Sequence, residues 1–354
     1  MTSTFQELRK QAISRSLFEP VSLHAAVERL GFIQADPIRA PARAQDLILR
    51  HRVEGYRAGD LEEQYPALEL EEDHFYVYGF LPRPVWQLLH PRKSRDLTDL
   101  QRRILDVFEQ DGSVHPRRLA EQFGQERAVN AWGGFSRSTQ LALDDLHRSG
   151  FLRVSHREKG SRVYAFASPA AEELTAAERM RLLALTAANL LMPMPLQSFR
   201  QILNRIRWIM GAKEVSTAAL YRELVLDGEL AEETVEGEVY VRLAQEQVAE
   251  EPAQMVRLLA PFDPVVWDRR RFEHLWGWAY RFEAYTPLAK RTRGYYALPL
   301  LWGESMPGWA NLSLKQGKLD VGLGFVEGRP ADSSFDRALA DELERIEAFL
   351  QLKP

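Results

Sequence analysis

The chain contains no cysteine. That excludes a disulfide framework, a cysteine-based zinc site, an iron–sulfur cluster and a thiol nucleophile together. Long apolar runs are also missing: the N-terminus, Met1 to Lys10, has no signal core, and no later stretch is apolar for long enough to span a bilayer, so a cytoplasmic protein with no membrane partner is expected. No Gly-x-x-x-x-Gly-Lys-Ser/Thr occurs, which removes P-loop nucleotide binding, and Gly322-x-Gly324 reads as a pair of strand glycines. There is no Gly-x-Ser-x-Gly elbow. The eight histidines form no His-x-x-x-His pair, so no metal site is expected. Finally, a basic excess is lacking. A formal net charge of -4 argues against a nonspecific nucleic-acid coat, which displaces phosphate counterions with many cations.

What the 354 residues do contain is an ordinary globular balance, 45% hydrophobic and 27% charged, enough for two to four modules. Arginine gathers in short runs, Arg92-Lys93-Ser94-Arg95, Arg269-Arg270-Arg271 and Lys290-Arg291-Thr292-Arg293, while acid concentrates between Glu229 and Glu251. One such run usually means a solvated face. Several beside the motifs below favour phosphate contact, with Arg269 a candidate.

The pattern predicts helices over 4–16 and 22–30, the second capped by Ser22 and stopped by Gly31. Next comes Phe32-Ile33-Gln34-Ala35-Asp36-Pro37, which Pro37 biases toward extended or looped backbone, and a helix over about 41–52 carrying Arg43 and Arg50 on one face. Residues 98–167 predict helix, helix, helix, then two strands around Arg157-Glu158-Lys159-Gly160, the order of a winged helix. In that fold the third helix enters the major groove and the wing touches the backbone, making Arg137, Ser138, Thr139, Gln140, Lys159 and Arg162 the contact candidates. A similar module is expected at about 196–242. Its wing carries Glu232, Glu233, Glu236 and Glu238, which phosphate would repel, so it reads as structural or protein-facing. From 251 onward strands are expected at Met255–Leu259, Tyr280–Tyr285 and Tyr295–Leu301, with a hairpin at Gln316-Gly317-Lys318 and a closing helix using Phe335, Leu339, Leu343, Ile346 and Leu350. Trp267, Trp276, Trp278, Trp302 and Trp309 read as core or interface rather than base-stacking platforms. The expected class is therefore α+β: tandem winged-helix modules, a C-terminal β-rich segment and a closing helix, divided at 1–97, 98–168, 169–250 and 251–354.

Two stretches resemble the YcaQ/AlkZ family of winged-helix interstrand-crosslink DNA glycosylases. The first is Leu30-Gly31-Phe32-Ile33-Gln34-Ala35-Asp36, similar to the family's Gln-x-Asp or Gln-x-Gln catalytic motif. The second, longer and more specific, is Leu259-Ala260-Pro261-Phe262-Asp263-Pro264-Val265-Val266-Trp267-Asp268-Arg269, leading into Tyr280-Arg281-Phe282-Glu283-Ala284-Tyr285 and Gly294-Tyr295-Tyr296-Ala297-Leu298-Pro299. The chain departs from the family pattern at Ala35, where a larger aliphatic residue is usual, and at Pro37, where a polar residue is usual.

The resemblance implies a concave body of winged helices with Gln34 and Asp36 near its centre, no metal and no organic cofactor. It further implies hydrolysis of N7-alkylguanine from damaged double-stranded DNA, crosslinks included, by a nucleoid-associated protein, with Arg39, Arg43 and Arg50 on nearby phosphates. From the tripeptide alone a turn is the better reading, since Gln and Asp often satisfy backbone groups there; the C-terminal block reverses that preference. The main competitor is a winged-helix transcriptional regulator with no enzymatic activity, and a third reading is a protein-interaction scaffold. No heptad or symmetric motif demands a dimer, so a monomer is expected.

Overall fold

The computed structural model describes residues 4–92, 96–124, 127–129, 135–158, 160–167, 174–245 and 251–352. It is a mixed α and β structure whose contacts group the chain into two compact units, each assembled from separated segments: 1–61, 184–203 and 217–354 form one, 62–183 and 204–216 the other. Among the described residues no helix is long and apolar enough to cross a membrane.

The first unit begins with the expected helices. Phe5–Ser16 starts at a Thr4–Glu7 capping box, and Leu23–Leu30 is capped by Ser22 and stopped by Gly31 in the left-handed conformation, φ 67°. The apolar stripe Leu23, Val27 and Leu30 is buried, which explains why so short a helix holds. The expected helix over 41–52 is shorter, Ala44–Leu49.

Further on, helix Thr217–Leu226 precedes a hairpin, Leu230–Val235 with Glu238–Leu243, and the sheet is completed by Met194–Pro195. Two acids of the wing are met within the protein: Glu232 accepts from Tyr221 Oη at 2.6 Å, and Glu238 pairs with Arg270 at 2.6 Å. The C-terminal part is an antiparallel sheet in the order Val256–Leu258, Leu298–Trp302, Ser305–Lys315, Lys318–Phe325, closed by helix Ser333–Phe349. Gly322 and Gly324 lie on its last strand as expected. Gly308 is required by close approach, since a Cβ there would sit 2.0 Å from Gly324 O.

Leu259, Val265, Val266, Phe272, Trp278, Tyr280, Leu301 and Met306 form one core cluster, against which Trp276 and Trp309 pack, so these tryptophans do fill a core. The strand expected at Tyr280–Tyr285 is absent. That segment is a loop whose role is polar, as the site shows.

In the second unit, Asp99–Asp111, Pro116–Phe123 and Ser138–Arg148 precede the hairpin Leu152–Glu158 with Ser161–Phe166, the expected order of three helices and two strands. Ile104, Phe108, Leu119, Leu143, Leu146, Val154 and Tyr164 make its core. Two features were not expected from sequence: a short antiparallel strand pair, Arg127–Val129 with Phe135–Arg137, between the second and third helices, and a hairpin, Leu70–His74 with Tyr78–Pro82, ahead of the first.

Candidate active site

Gln34 and Asp36 stand on the connection that Gly31 opens. A Cβ at Gly31 would lie 2.9 Å from Thr186 Cγ2, so glycine is needed for space as well as for φ. Phe32 and Ile33 are buried and anchor the segment. The two polar side chains that follow are half-buried. Gln34 Oε1 is enclosed and has no hydrogen-bond partner among the described residues, an unusual condition for a buried acceptor. Asp36 Oδ1 accepts from Ile38 N–H at 2.9 Å, the Asx-type turn expected beside Pro37. The turn is therefore real, and it occupies only one of the carboxylate oxygens. Burial raises the Asp36 pKa above the usual aspartate value, opposed only by that single backbone hydrogen bond. No cation among the described residues counters the charge.

A cavity of about 730 Å³ begins immediately downstream, lined by Arg39, Ala40 and Pro41, by Tyr295 and Tyr296 from the turn before strand Leu298–Trp302, and by Asn311 and Leu312 from strand Ser305–Lys315. Its walls also carry the exposed side chains Leu288 and Leu314 and the guanidinium of Arg291, which lies 5.0 Å from the Tyr295 ring centroid. The wall is fixed by Glu283. Its carboxylate accepts from Thr292 N–H (2.9 Å), Thr292 Oγ1 (2.6 Å), Arg293 N–H (2.8 Å) and Gly294 N–H (3.2 Å). Burial works against that charge, but the four bonds outweigh it and hold the carboxyl at about 2. Gly294 sits at φ 124°, and a Cβ there would lie 2.2 Å from Asn311 Oδ1. Tyr280 Oη donates to Ala297 O at 2.7 Å. The Tyr280-to-Pro299 signature is thus the scaffold of this wall.

The other half of the signature clamps the segment that follows the Gln-x-Asp motif. Asp263, fully buried, takes both terminal nitrogens of Arg52 at 2.9 and 3.0 Å, while Arg52 also donates to Ser16 O, Ile48 O and Ser16 Oγ. Arg271 reaches the carbonyls of Leu191, Pro193, Pro264 and Val265 from the buried face of helix Arg269–Trp276.

The expected phosphate contacts divide sharply. Arg39 and Arg269 are exposed and Arg43 is half-buried. Arg50 is not a surface cation: its side chain is 3% exposed and paired with the fully buried Glu342, which also accepts from Leu258 N–H at 2.7 Å. In the second unit Arg137 is exposed and Ser138 half-buried, and Gln140 donates to Asp144 at 3.1 Å. Thr139 is buried in the helix interior face. Arg162 lies over the Tyr78 ring, 4.5 Å from its centroid, and within 3.8 Å of Glu72 and 3.6 Å of Asp144, so it too serves the interior. Lys159 lies outside the described residues.

The sequence profile described as DNA glycosylase AlkZ-like matches residues 27–349, spanning both the Gln-x-Asp connection and the Glu283-braced wall. The chain belongs to that family. Its fold is also similar to that of a solved structure, Streptomyces sahachiroi DNA glycosylase AlkZ, with a TM-score of 0.64 at 14% identity over 99% of this chain and 98% of that one. Membership makes the chain a DNA-repair glycosylase, a hydrolase of N-glycosyl bonds acting on DNA. The readings as a regulator without chemistry and as an interaction scaffold give way to it. Among the described residues no group of three His, Cys, Asp or Glu could hold a metal ion. Sequence reasoning gave no role to Tyr296, Glu283 or Asn311; Tyr296 and Glu283 stood in the quoted signature, and only the folded wall shows what they do.

Proposed function

We propose that this AlkZ-like glycosylase releases N7-alkylguanine from duplex DNA, including guanine joined across an interstrand crosslink, by a metal-independent hydrolysis that uses Asp36 and Gln34. The observation that supports this most is that one connection, just upstream of the cavity lining, carries a half-buried carboxylate with no cationic partner and an enclosed amide oxygen with no partner among the described residues.

N7-alkylation leaves the purine cationic, so its glycosidic bond is already weak and the leaving group needs no strong acid. The remaining tasks are to hold a water and to stabilise positive charge developing on the sugar. Asp36 supplies a negative charge that no cation among the described residues neutralises, which favours an oxocarbenium-like sugar. Gln34 Oε1 accepts one hydrogen of the water and Asp36 the other. As the water oxygen bonds to C1′, the C1′–N9 pair passes to the purine, which departs neutral, and the water proton passes to Asp36 and then to solvent. One carboxylate suffices because leaving-group protonation, the second task in glycoside cleavage, is already done by the alkyl group.

Arg39, Arg43, Arg269, Arg137, Ser138 and Gln140 are the proposed contacts to the backbone of the damaged duplex, and the protein acts as a monomer in the cytoplasm at the nucleoid. The test is incubation with a duplex bearing one N7-methylguanine in EDTA, then mild alkali, with Asp36→Asn beside the wild type. Scission at the lesion by the wild type alone is expected. Full activity of the variant would remove Asp36 from the mechanism, and cleavage only on adding a divalent metal would remove metal independence.

A further inference from the structure

Tyr296 is buried in the cavity wall, yet its hydroxyl has no hydrogen-bond partner among the described residues. Buried tyrosine hydroxyls nearly always find one, because desolvating the group without compensation costs stability. Nor is the ring loosely held. Glu283 fixes the backbone of Thr292, Arg293 and Gly294 on one side, Tyr280 holds Ala297 O on the other, and Phe282 meets the ring edge-to-face at 5.2 Å. A side chain positioned this firmly, with its one polar atom left unsatisfied, points to a ligand that completes it. Asp36 lies within electrostatic reach: after burial, its negative charge is the next influence raising the phenol's affinity for its proton. The hydroxyl therefore stays protonated and can donate.

We propose that the Tyr296 hydroxyl donates a hydrogen bond to the water held by Asp36 and Gln34, making Tyr296 a third polar member of the hydrolytic site. The inference rests on the reading of Asp36 and Gln34 given above and extends it to a residue that the Gln-x-Asp motif does not contain. Hydrogen-bond inventory supports it. A carboxylate and an amide oxygen only accept, so together they take both hydrogens of one water and leave its two lone pairs undirected. A phenol donating to one lone pair leaves a single pair free, aimed at C1′. The phenol keeps its proton throughout, and the proton released by the water still goes to Asp36.

Tyr296→Phe removes the oxygen and nothing else, so three quantities separate the roles: single-turnover release of N7-methylguanine, affinity for the lesion duplex, and melting temperature. Expected are a rate about ten- to a hundredfold below wild type, an unchanged duplex affinity, and an unchanged melting temperature, because the hydroxyl bonds no described protein group. A merely structural tyrosine would give the same melting temperature with an unchanged rate, and that result overturns the inference. Wild-type release that depends on Asp36 but is matched by Tyr296→Phe overturns this inference alone; no wild-type release overturns both it and the glycosylase reading on which it rests.

Discussion

Two stretches of this chain bury carboxylates, and they treat them in opposite ways. On the hairpin Leu70–His74 with Tyr78–Pro82, three consecutive acids, Glu71, Glu72 and Asp73, are almost completely enclosed. Asp73 takes Arg92 through both oxygens at 2.9 and 3.1 Å and also accepts from Trp86 Nε1 at 3.0 Å; Glu72 takes Arg157 at 2.5 Å and Tyr78 Oη at 2.8 Å; Glu71 takes Arg153 at 2.9 Å and Arg83 at 3.1 Å. Asp36 is less buried, and it receives one backbone N–H. The difference separates structure from chemistry. A charge fully met by arginine is bound to the fold, whereas a charge left half-met keeps an affinity for something outside it, here water and a cationic transition state.

The largest expected effect is on that half-met charge. Asp36→Asn keeps an oxygen for Ile38 N–H but removes the negative charge, and glycosylase turnover should fall by about 10²–10⁴-fold. The same variant should melt at a higher temperature than wild type. A carboxyl whose folded pKa is raised stabilises the fold when protonated and loses that contribution as pH rises through the raised value, so its charge at neutral pH works against folding. Loss of activity with gain in melting temperature is the outcome that single-turnover kinetics and calorimetry would check together.

Asp73→Asn should do the reverse. Breaking a buried pair by removing one partner leaves Arg92 enclosed without its counter-charge, at a cost of about 3–5 kcal/mol. Chemical denaturation would measure it. Turnover per folded molecule should be unchanged, and a drop comparable to that of Asp36→Asn would erase the distinction between the two regions.

Acidification should pull Asp73 and Asp36 apart. Burial works against the charge on Asp73, but Arg92 and His90 outweigh it and hold the pKa well below the ordinary value. Its contribution is present above the unfolded value of about 3.9 and is lost as pH falls toward the folded one. Asp36 is shifted upward, so catalysis fails first, on an acid limb above the ordinary aspartate value. Between those limits the protein should be folded, by circular dichroism, and inactive. Coincident loss of activity and structure would refute the assignment of the acid limb to Asp36.

What could be seen in sequence follows from the distance over which each feature is decided. Ser22, Gly31 and Pro37 set the helix end and the turn within a few residues, so the Gln34–Asp36 connection was legible, as were the three helices and the hairpin of 98–167. The acidic strand was not. Leu-Glu-Glu-Asp-His shows no alternation, and its meaning depends on Arg153 and Arg157, 82 and 85 residues away. Arg50 was misplaced for the same reason: its spacing from Arg43 suggested a shared surface, while the partner that buries it, Glu342, comes 292 residues later. Tyr296 was visible only as part of a signature, since an unsatisfied hydroxyl exists only once the rest of the wall has satisfied its own.

The smallest expected effect belongs to the exposed cations. Arg39 borders the cavity and is solvent-facing, and alongside Arg43 it acts on Asp46, whose carboxyl burial has already pushed up. If Arg39 meets a phosphate, Arg39→Ala should weaken binding to damaged and undamaged duplexes alike and reduce the slope of log affinity against log salt by about 1. Arg50→Ala, whose side chain is spent on Glu342, should leave that slope alone and lower stability instead. Titrations at several salt concentrations would distinguish the two arginines. An unchanged slope for Arg39→Ala would mean that its charge serves the cavity and the carboxylates around it, and that backbone contact is made elsewhere on the protein.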